Sequence, residues 1–328
     1  MRKLLLGTTA IAAAATLSAN AALADVSISG YYEWRYESRS SAVTANDGTK
    51  FGSDSEIKFM FTNKTDSGLD ISMKQEFETD AGNTAVQESS ISITGGFGTI
   101  QLGRDDGIND GSIPIAGNDL ISEEMYSVTG ASVADTDHNL GITSGDMANL
   151  AGNDNKIAYY LPAMNGLTIG ASFADSGEVG ASDTTEFGVG YAMSAGGASI
   201  NLAYATGTTE NATQDIDSSV IGMKVSSGNI TGIISQSQYE ASGDDEEGTD
   251  VALKFQVSDN MSIAAYTSEV EDSLSSEEYS NTGAELIYTV ASGLSAIVNV
   301  EDYDYKVGTS GNTADSGTHS KLTIKATF

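Results

Sequence analysis

The 328-residue chain has no cysteine, two prolines, two histidines and only 15 Lys and Arg against 46 Asp and Glu. Without cysteine there is neither a disulfide framework nor thiolate ligation of zinc. His138 and His319 are the only imidazoles, and no H-E-x-x-H or G-x-S-x-G run occurs, so the usual hydrolytic constellations lack their material. Neighbouring acids such as Glu123 and Glu124 could be drawn as general acid and base, but among 46 acidic residues such pairs arise by chance. A formal net charge of −31 repels a phosphate backbone, which removes nucleic acid from the expected partners. Scarce proline leaves β-ladders uninterrupted.

Long apolar runs are also lacking, with one exception at the start. Met1-Arg2-Lys3 precedes an apolar run from Leu4 to Leu17 and a small-residue stretch ending Ala22-Leu23-Ala24. That is the pattern of an export signal cut before Asp25, too short and too rich in Ala and Thr for the ~20 apolar residues of a spanning helix. The expected organisation is a removed segment 1–24 and one domain, 25–328. An exported chain without a helical span is either soluble or a barrel that crosses the membrane by closing its strands.

Alternation of period two is what the sequence does contain. Val26, Ile28, Tyr32, Trp34 and Tyr36 share one parity, while Ser27, Ser29, Glu33 and Arg35 share the other. The pattern recurs through Ile57, Phe59 and Phe61, through Leu69, Ile71, Met73 and Phe77, and through later segments such as Leu286, Tyr288 and Val290. Seven tight connections interrupt it: Thr65 to Gly68, Gly95 to Gly98, Pro162 to Gly166, Ser194 to Gly197, Ser226 to Asn229, Ser258 to Asn260 and Ala291 to Gly293. Between them lie eight longer polar stretches, near 39–52, 80–86, 106–154, 174–183, 207–217, 241–249, 270–279 and 307–318.

Fifteen connections join sixteen strands, with short turns on one rim and long loops on the other. Parity blurs near 230–240 and 261–270. A continuous apolar face around so many strands has too little remaining chain to cover it as a second sheet would, whereas a bilayer covers it. The fold expected is therefore all-β, a sixteen-stranded antiparallel transmembrane β-barrel, wide enough to hold water. Tyr32, Trp34, Phe61, Tyr159, Phe173, Tyr191, Tyr204, Phe255, Tyr288 and Phe328 are expected to form interfacial aromatic girdles.

The run Gly95-Gly96-Phe97-Gly98-Thr99-Ile100-Gln101-Leu102-Gly103-Arg104 resembles the G-x-F-G-x-x-x-L-G-R segment of Gram-negative general diffusion porins, especially the Rhodobacter-type porins of alphaproteobacteria. Asn155-Lys156-Ile157-Ala158-Tyr159-Tyr160-Leu161-Pro162 and the terminal Phe328 extend the resemblance over the mature chain. It implies long extracellular loops, short periplasmic turns and a third loop, about 106–154, folded inward as a constriction. It also implies a homotrimer, a neighbourhood of outer-membrane lipid and lipopolysaccharide, and passive flow of small hydrophilic solutes and ions. Phe328 resembles the terminal signal read by the outer-membrane assembly machinery.

On this reading the acidic side of the pore is drawn from Asp105, Asp106, Asp110, Asp119, Glu123 and Glu124, and the basic wall from Arg35, Lys58, Lys74 and Arg104. Strict alternation points Arg104 outward; the resemblance aims it at the lumen, and the second is taken as the expectation. The acidic third loop predicts a preference for cations. No enzyme activity and no cofactor are expected, although acidic loops such as Asp244-Asp245-Glu246-Glu247 offer oxygens suited to Ca²⁺ or Mg²⁺. The competing functions are a substrate-selective outer-membrane channel and a secreted acidic structural or adhesive β-protein.

Overall fold

The computed structural model describes residues 25–43, 47–79, 85–108, 120–121, 154–175, 182–210, 215–242, 244–274, 276–306 and 314–328. The expected export segment, residues 1–24, lies outside the described residues.

Alternating sequence becomes a closed antiparallel barrel in which every strand pairs with its sequence neighbours and the first pairs with the last. The strands are β1 (Asp25–Ser41), β2 (Gly48–Lys64), β3 (Asp70–Glu78), β4 (Ala85–Gly95), β5 (Gly98–Arg104), β6 (Asn155–Tyr160), β7 (Leu167–Asp175) and β8 (Asp183–Ala195). They continue with β9 (Ala198–Glu210), β10 (Asp215–Ser227), β11 (Ile230–Ala241), β12 (Asp244–Ser258), β13 (Met261–Asp272), β14 (Glu277–Ala291), β15 (Leu294–Lys306) and β16 (Asp315–Thr327). The seven tight turns fall where Gly and Asn allow them. At the β8–β9 hairpin both Gly196 and Gly197 take positive φ, 60° and 86°, as a two-residue primed turn requires.

At the opposite rim the strands run further than composition implies. β9 and β10 consume all but 211–214 of the stretch 207–217, and β11 and β12 all but 242–243 of 241–249. Above the apolar belt both faces of a strand meet water or headgroups, so polarity on both parities does not end the ladder. Asp244-Asp245-Glu246-Glu247 accordingly begins β12, with Asp245 and Glu247 on the outward parity and Glu246 on the inward one.

Closure leaves no sheet edge. At the seam Tyr32 opposes Ala326 and Trp34 opposes Ile324. Phe328 donates its N–H to the Gly30 carbonyl and accepts from the Gly30 N–H, both at 3.1 Å. A side chain on Gly30 would strike the Phe328 ring and the Glu56 carbonyl, so glycine is what lets the terminal ring lie against β1.

The outward parity is apolar and exposed, with Ile28, Ile157, Ile221, Leu253 and Val290 among the large side chains that keep more than half of their surface open. All ten girdle aromatics lie on it. Phe61, Tyr159, Tyr191, Phe255, Tyr288 and Phe328 stand near the turn rim; Tyr32, Trp34, Phe173 and Tyr204 stand higher. Trp34 stacks on Phe51 at 5.5 Å between ring centres. From Arg35 onward, every Lys and Arg points into the barrel except Arg104 and Lys306. That division is what a bilayer outside and water inside select, because a cation at the bilayer midplane costs about 2–4 kcal/mol.

Candidate functional site

The third loop turns into the barrel directly after β5. Asp105, almost completely buried, makes the turn: Ser90 Oγ and Gln101 Nε2 (2.6 Å) donate to its Oδ2, and the Asp106 N–H donates to Oδ1 at 3.0 Å. Lys74 Nζ lies 2.5 Å from Oδ1, and Lys156 Nζ donates to the Asp105 carbonyl at 2.5 Å. Three residues on, Ile108 is buried against Ala158, Ala203 and Tyr160 on the inner wall. Its N–H donates to Glu186 Oε2 at 3.0 Å, the same oxygen that accepts from Ser172 Oγ at 2.8 Å. Gly170 keeps the seat open, since a Cβ there would lie 2.9 Å from Ile108 Cδ1.

A second pin holds the loop farther around the barrel. Leu120 is buried against Ile233, Ala252 and Tyr266, and its carbonyl accepts from Lys254 Nζ at 3.1 Å. Between Ile108 and Leu120 the attachment has moved from β6–β9 to β11–β13, across the lumen face of the wall. Small side chains line that wall, Ala158, Gly170, Gly188, Ala203, Ala205, Ala252 and Ala264 among them, and a loop can lie flat upon it.

Across from these seats, β16 and β1–β4 carry charge. Arg35 Nη2 reaches Glu33 at 2.6 Å and Asp54 at 2.7 Å. Lys58 meets Glu76 at 2.5 Å and Glu56 at 3.6 Å, and Lys74 pairs with Glu88 as well as Asp105. Arg39 pairs with Asp315 at 2.7 Å and Lys325 with Glu33 at 2.5 Å. Each of these wall cations is thus held by at least one carboxylate, which cancels much of its field in the opening.

Lys58, Lys74, Asp105 and Asp106 therefore come together on the lumen side, with Asp105 serving to turn the chain, while Arg35 faces the lumen in a separate set of ion pairs with Glu33 and Asp54. Asp110, Asp119, Glu123 and Glu124 lie outside the described residues. Arg104 is a correction: it opposes Ser89 and Asn155, shares the outward parity of Ile100 and Leu102, and is exposed with Nη1 3.3 Å from the Val86 carbonyl. The chain swings inward one residue later, at Asp105, so alternation still governs Arg104. Its place at the strand end keeps the lipid cost small.

Glu88, Asp105 and Asp106 bring carboxylate oxygens within 4.8 Å of one another. The Lys74 ammonium already binds Glu88 and Asp105, so this cluster is supplied with a cation by the protein itself. Ile108, Leu120, Glu186, Lys156 and Lys254 escaped the sequence reading. Their signal is an apolar residue on the wet parity, as at Ile233, Ala252 and Tyr266, which marks where a loop docks inside.

A model of Gram-negative porins matches residues 7–322. The chain belongs to that family. A porin of Rhodobacter capsulatus is 23% identical over 171 residues, 51% of this chain and 54% of that protein, so the match spans about half of the curated relative. Among solved structures, the trimer form of OmpT from Vibrio cholerae superposes with a TM-score of 0.71 at 14% identity, covering 93% of this chain and 99% of that one. An anion-selective porin from Comamonas acidovorans gives a TM-score of 0.67 at 16% identity over 93% and 100%. Family and barrel place this porin in the outer membrane and remove the secreted alternative. They indicate a channel rather than an enzyme.

Proposed function

We propose that this porin is a passive, water-filled general diffusion pore that prefers cations and passes small hydrophilic solutes down their gradients. The observation that carries the reading is the pinning of the third loop inside a sixteen-stranded barrel at Ile108 and Leu120. We read the acidic sequence between and beyond these two pins as standing within a lumen wide enough for water. From Asp105 to Asp154 the sequence holds ten Asp and Glu and no Lys or Arg, while the facing cations are already in ion pairs. A similar barrel with the opposite preference exists, so the sign is argued from these residues and not from the fold.

No specific observation favours a solute-selective channel. Of the inward tyrosines, Tyr266, Tyr279, Tyr303 and Tyr305 are 2–3% exposed and offer no open ring face to a sugar, Tyr31 is capped by the Lys325 ammonium at 4.6 Å from its ring centre, and Tyr160 and Tyr239 are half-buried. A homotrimer is part of the proposal, supported by the trimeric neighbour, as are contacts with lipopolysaccharide and with the assembly machinery that reads Phe328. Purified protein should insert into planar bilayers and give ohmic steps without added substrate. Protein that stays soluble without detergent and electrically silent would refute the reading.

The carboxyl of Asp106 adds a pH dependence. Burial, with the Glu88 carboxylate beside it, pushes it up to about 6. A carboxyl so raised is neutral below that pH and charged above it, so cation preference should fall as pH drops through about 6. Asp106→Asn should flatten that step in zero-current potentials recorded across this range; a step of unchanged size in the variant assigns the titration to another group.

A further inference from the structure

The outer surface of β9–β12 changes character in ordered rows as it leaves the bilayer. Leu202, Met223, Ile234 and Val251 form one cross-strand row on the outward parity, wholly apolar. The next two rows toward the loop rim are Ile221, Gln236, Thr249 and then Ser219, Gln238, Glu247. Above them stand Asp217, Glu240 and Asp245. Each row is about 5 Å higher than the last, given ~3.3 Å per residue and a strand tilt near 40°.

Gln236 and Gln238 are exposed and make no side-chain hydrogen bond within the described residues. They edge a recess of about 320 Å³ that Tyr204, Ser219, Glu247 and Thr249 also line. Among the described residues no Lys or Arg shares this face, because Lys224 and Lys254 point inward. Amides and hydroxyls at the edge of a lipid-covered belt need a partner that both donates and accepts.

We infer that this recess holds the headgroup of an outer-leaflet lipid, and that the headgroup is an uncharged sugar. The surface is continuous with the apolar belt, so acyl chains along Ile234 and Val251 bring a headgroup to the height of Gln236 and Gln238. Sugar hydroxyls accept from the two amide NH₂ groups and donate to their carbonyls and to Glu247, while the Tyr204 ring offers an apolar face. A phosphate headgroup would meet Glu247, Asp217, Glu240 and Asp245 with no cation to receive it. The inference rests on outer-membrane location and not on conduction.

The test uses the full mature barrel in phosphatidylcholine bilayers doped with monoglucosyl diacylglycerol, with phosphatidylglycerol, or with phosphatidylglycerol plus Mg²⁺. Native mass spectrometry after extraction counts the lipids retained. Wild type should keep the glucosyl lipid over phosphatidylglycerol, and Gln236→Leu/Gln238→Leu should lower that retention about tenfold through the lost hydrogen bonds. Channel conductance should not move, since both residues face away from the lumen. Equal retention of the two lipids by wild type overturns the proposal without any variant. So does phosphatidylglycerol retained only with Mg²⁺, which would mean carboxylates bridged by metal, or a changed oligomeric state in the double variant, which would make the recess a contact between copies.

Discussion

Deleting Phe328 should lower the assembled barrel in the outer membrane roughly tenfold or more, from the loss of two seam hydrogen bonds and a packed ring. Export should be unaffected, because the export signal expected in residues 1–24 is left intact. The deletion removes both backbone bonds to Gly30 and the ring against β1, at the one place where the barrel is closed by strands far apart in sequence. An unclosed β1 or β16 presents free N–H and C=O groups to lipid, where nothing satisfies them. Quantitative blots of outer-membrane and periplasmic fractions measure it. Equal outer-membrane levels with and without Phe328 would deny the residue this role.

Freeing the third loop should have the second large effect. Ile108 and Leu120 are each buried in a fitted seat, and truncation to alanine costs about 2–4 kcal/mol per site. Ile108→Asp would set a second carboxylate against that of Glu186, and Leu120→Asp would put a charge into the apolar seat of Ile233 and Tyr266. In the double Asp variant the loop should leave the wall, so that single-channel conductance rises and the open level becomes noisy, while the strands and the thermal stability of the closed barrel change little. Glu186→Gln should retain much of the wild-type conductance, because an amide oxygen still accepts from the Ile108 N–H and Ser172; Glu186→Ala should not. Unchanged conductance in the double variant would mean that these seats do not position the constriction.

Much of this was legible in the sequence because a lipid-exposed barrel enforces strict alternation. Val26 to Tyr36 and Ser320 to Phe328 announced their faces, and the tight turns gave the strand number. Much of what stayed hidden traces to the third loop. It covers the inner wall near Ile233, Ala252 and Tyr266, where apolar residues stand on the wet parity, and β11 also carries Gln236 and Gln238 outward. Parity in 230–240 and 261–270 therefore blurred although the strands are regular. Arg104 failed for the opposite reason: alternation alone placed it correctly, and the family's lumenal arginine did not carry over. Polar composition exaggerated the loops because ladders continue above the lipid. The acids from Asp110 to Glu124 had no periodicity to aim them.

The central claim, a water-filled pore whose narrow part is negative, is tested most directly by the zero-current potential across a bilayer under a KCl gradient. The account predicts the sign of cation preference. It should be largest in dilute salt, where the Debye length is ~30 Å, should fade toward 1 M, where it is ~3 Å, and should fall when Asp119, Glu123 and Glu124 are changed to their amides. A wild-type pore that favours chloride would contradict it.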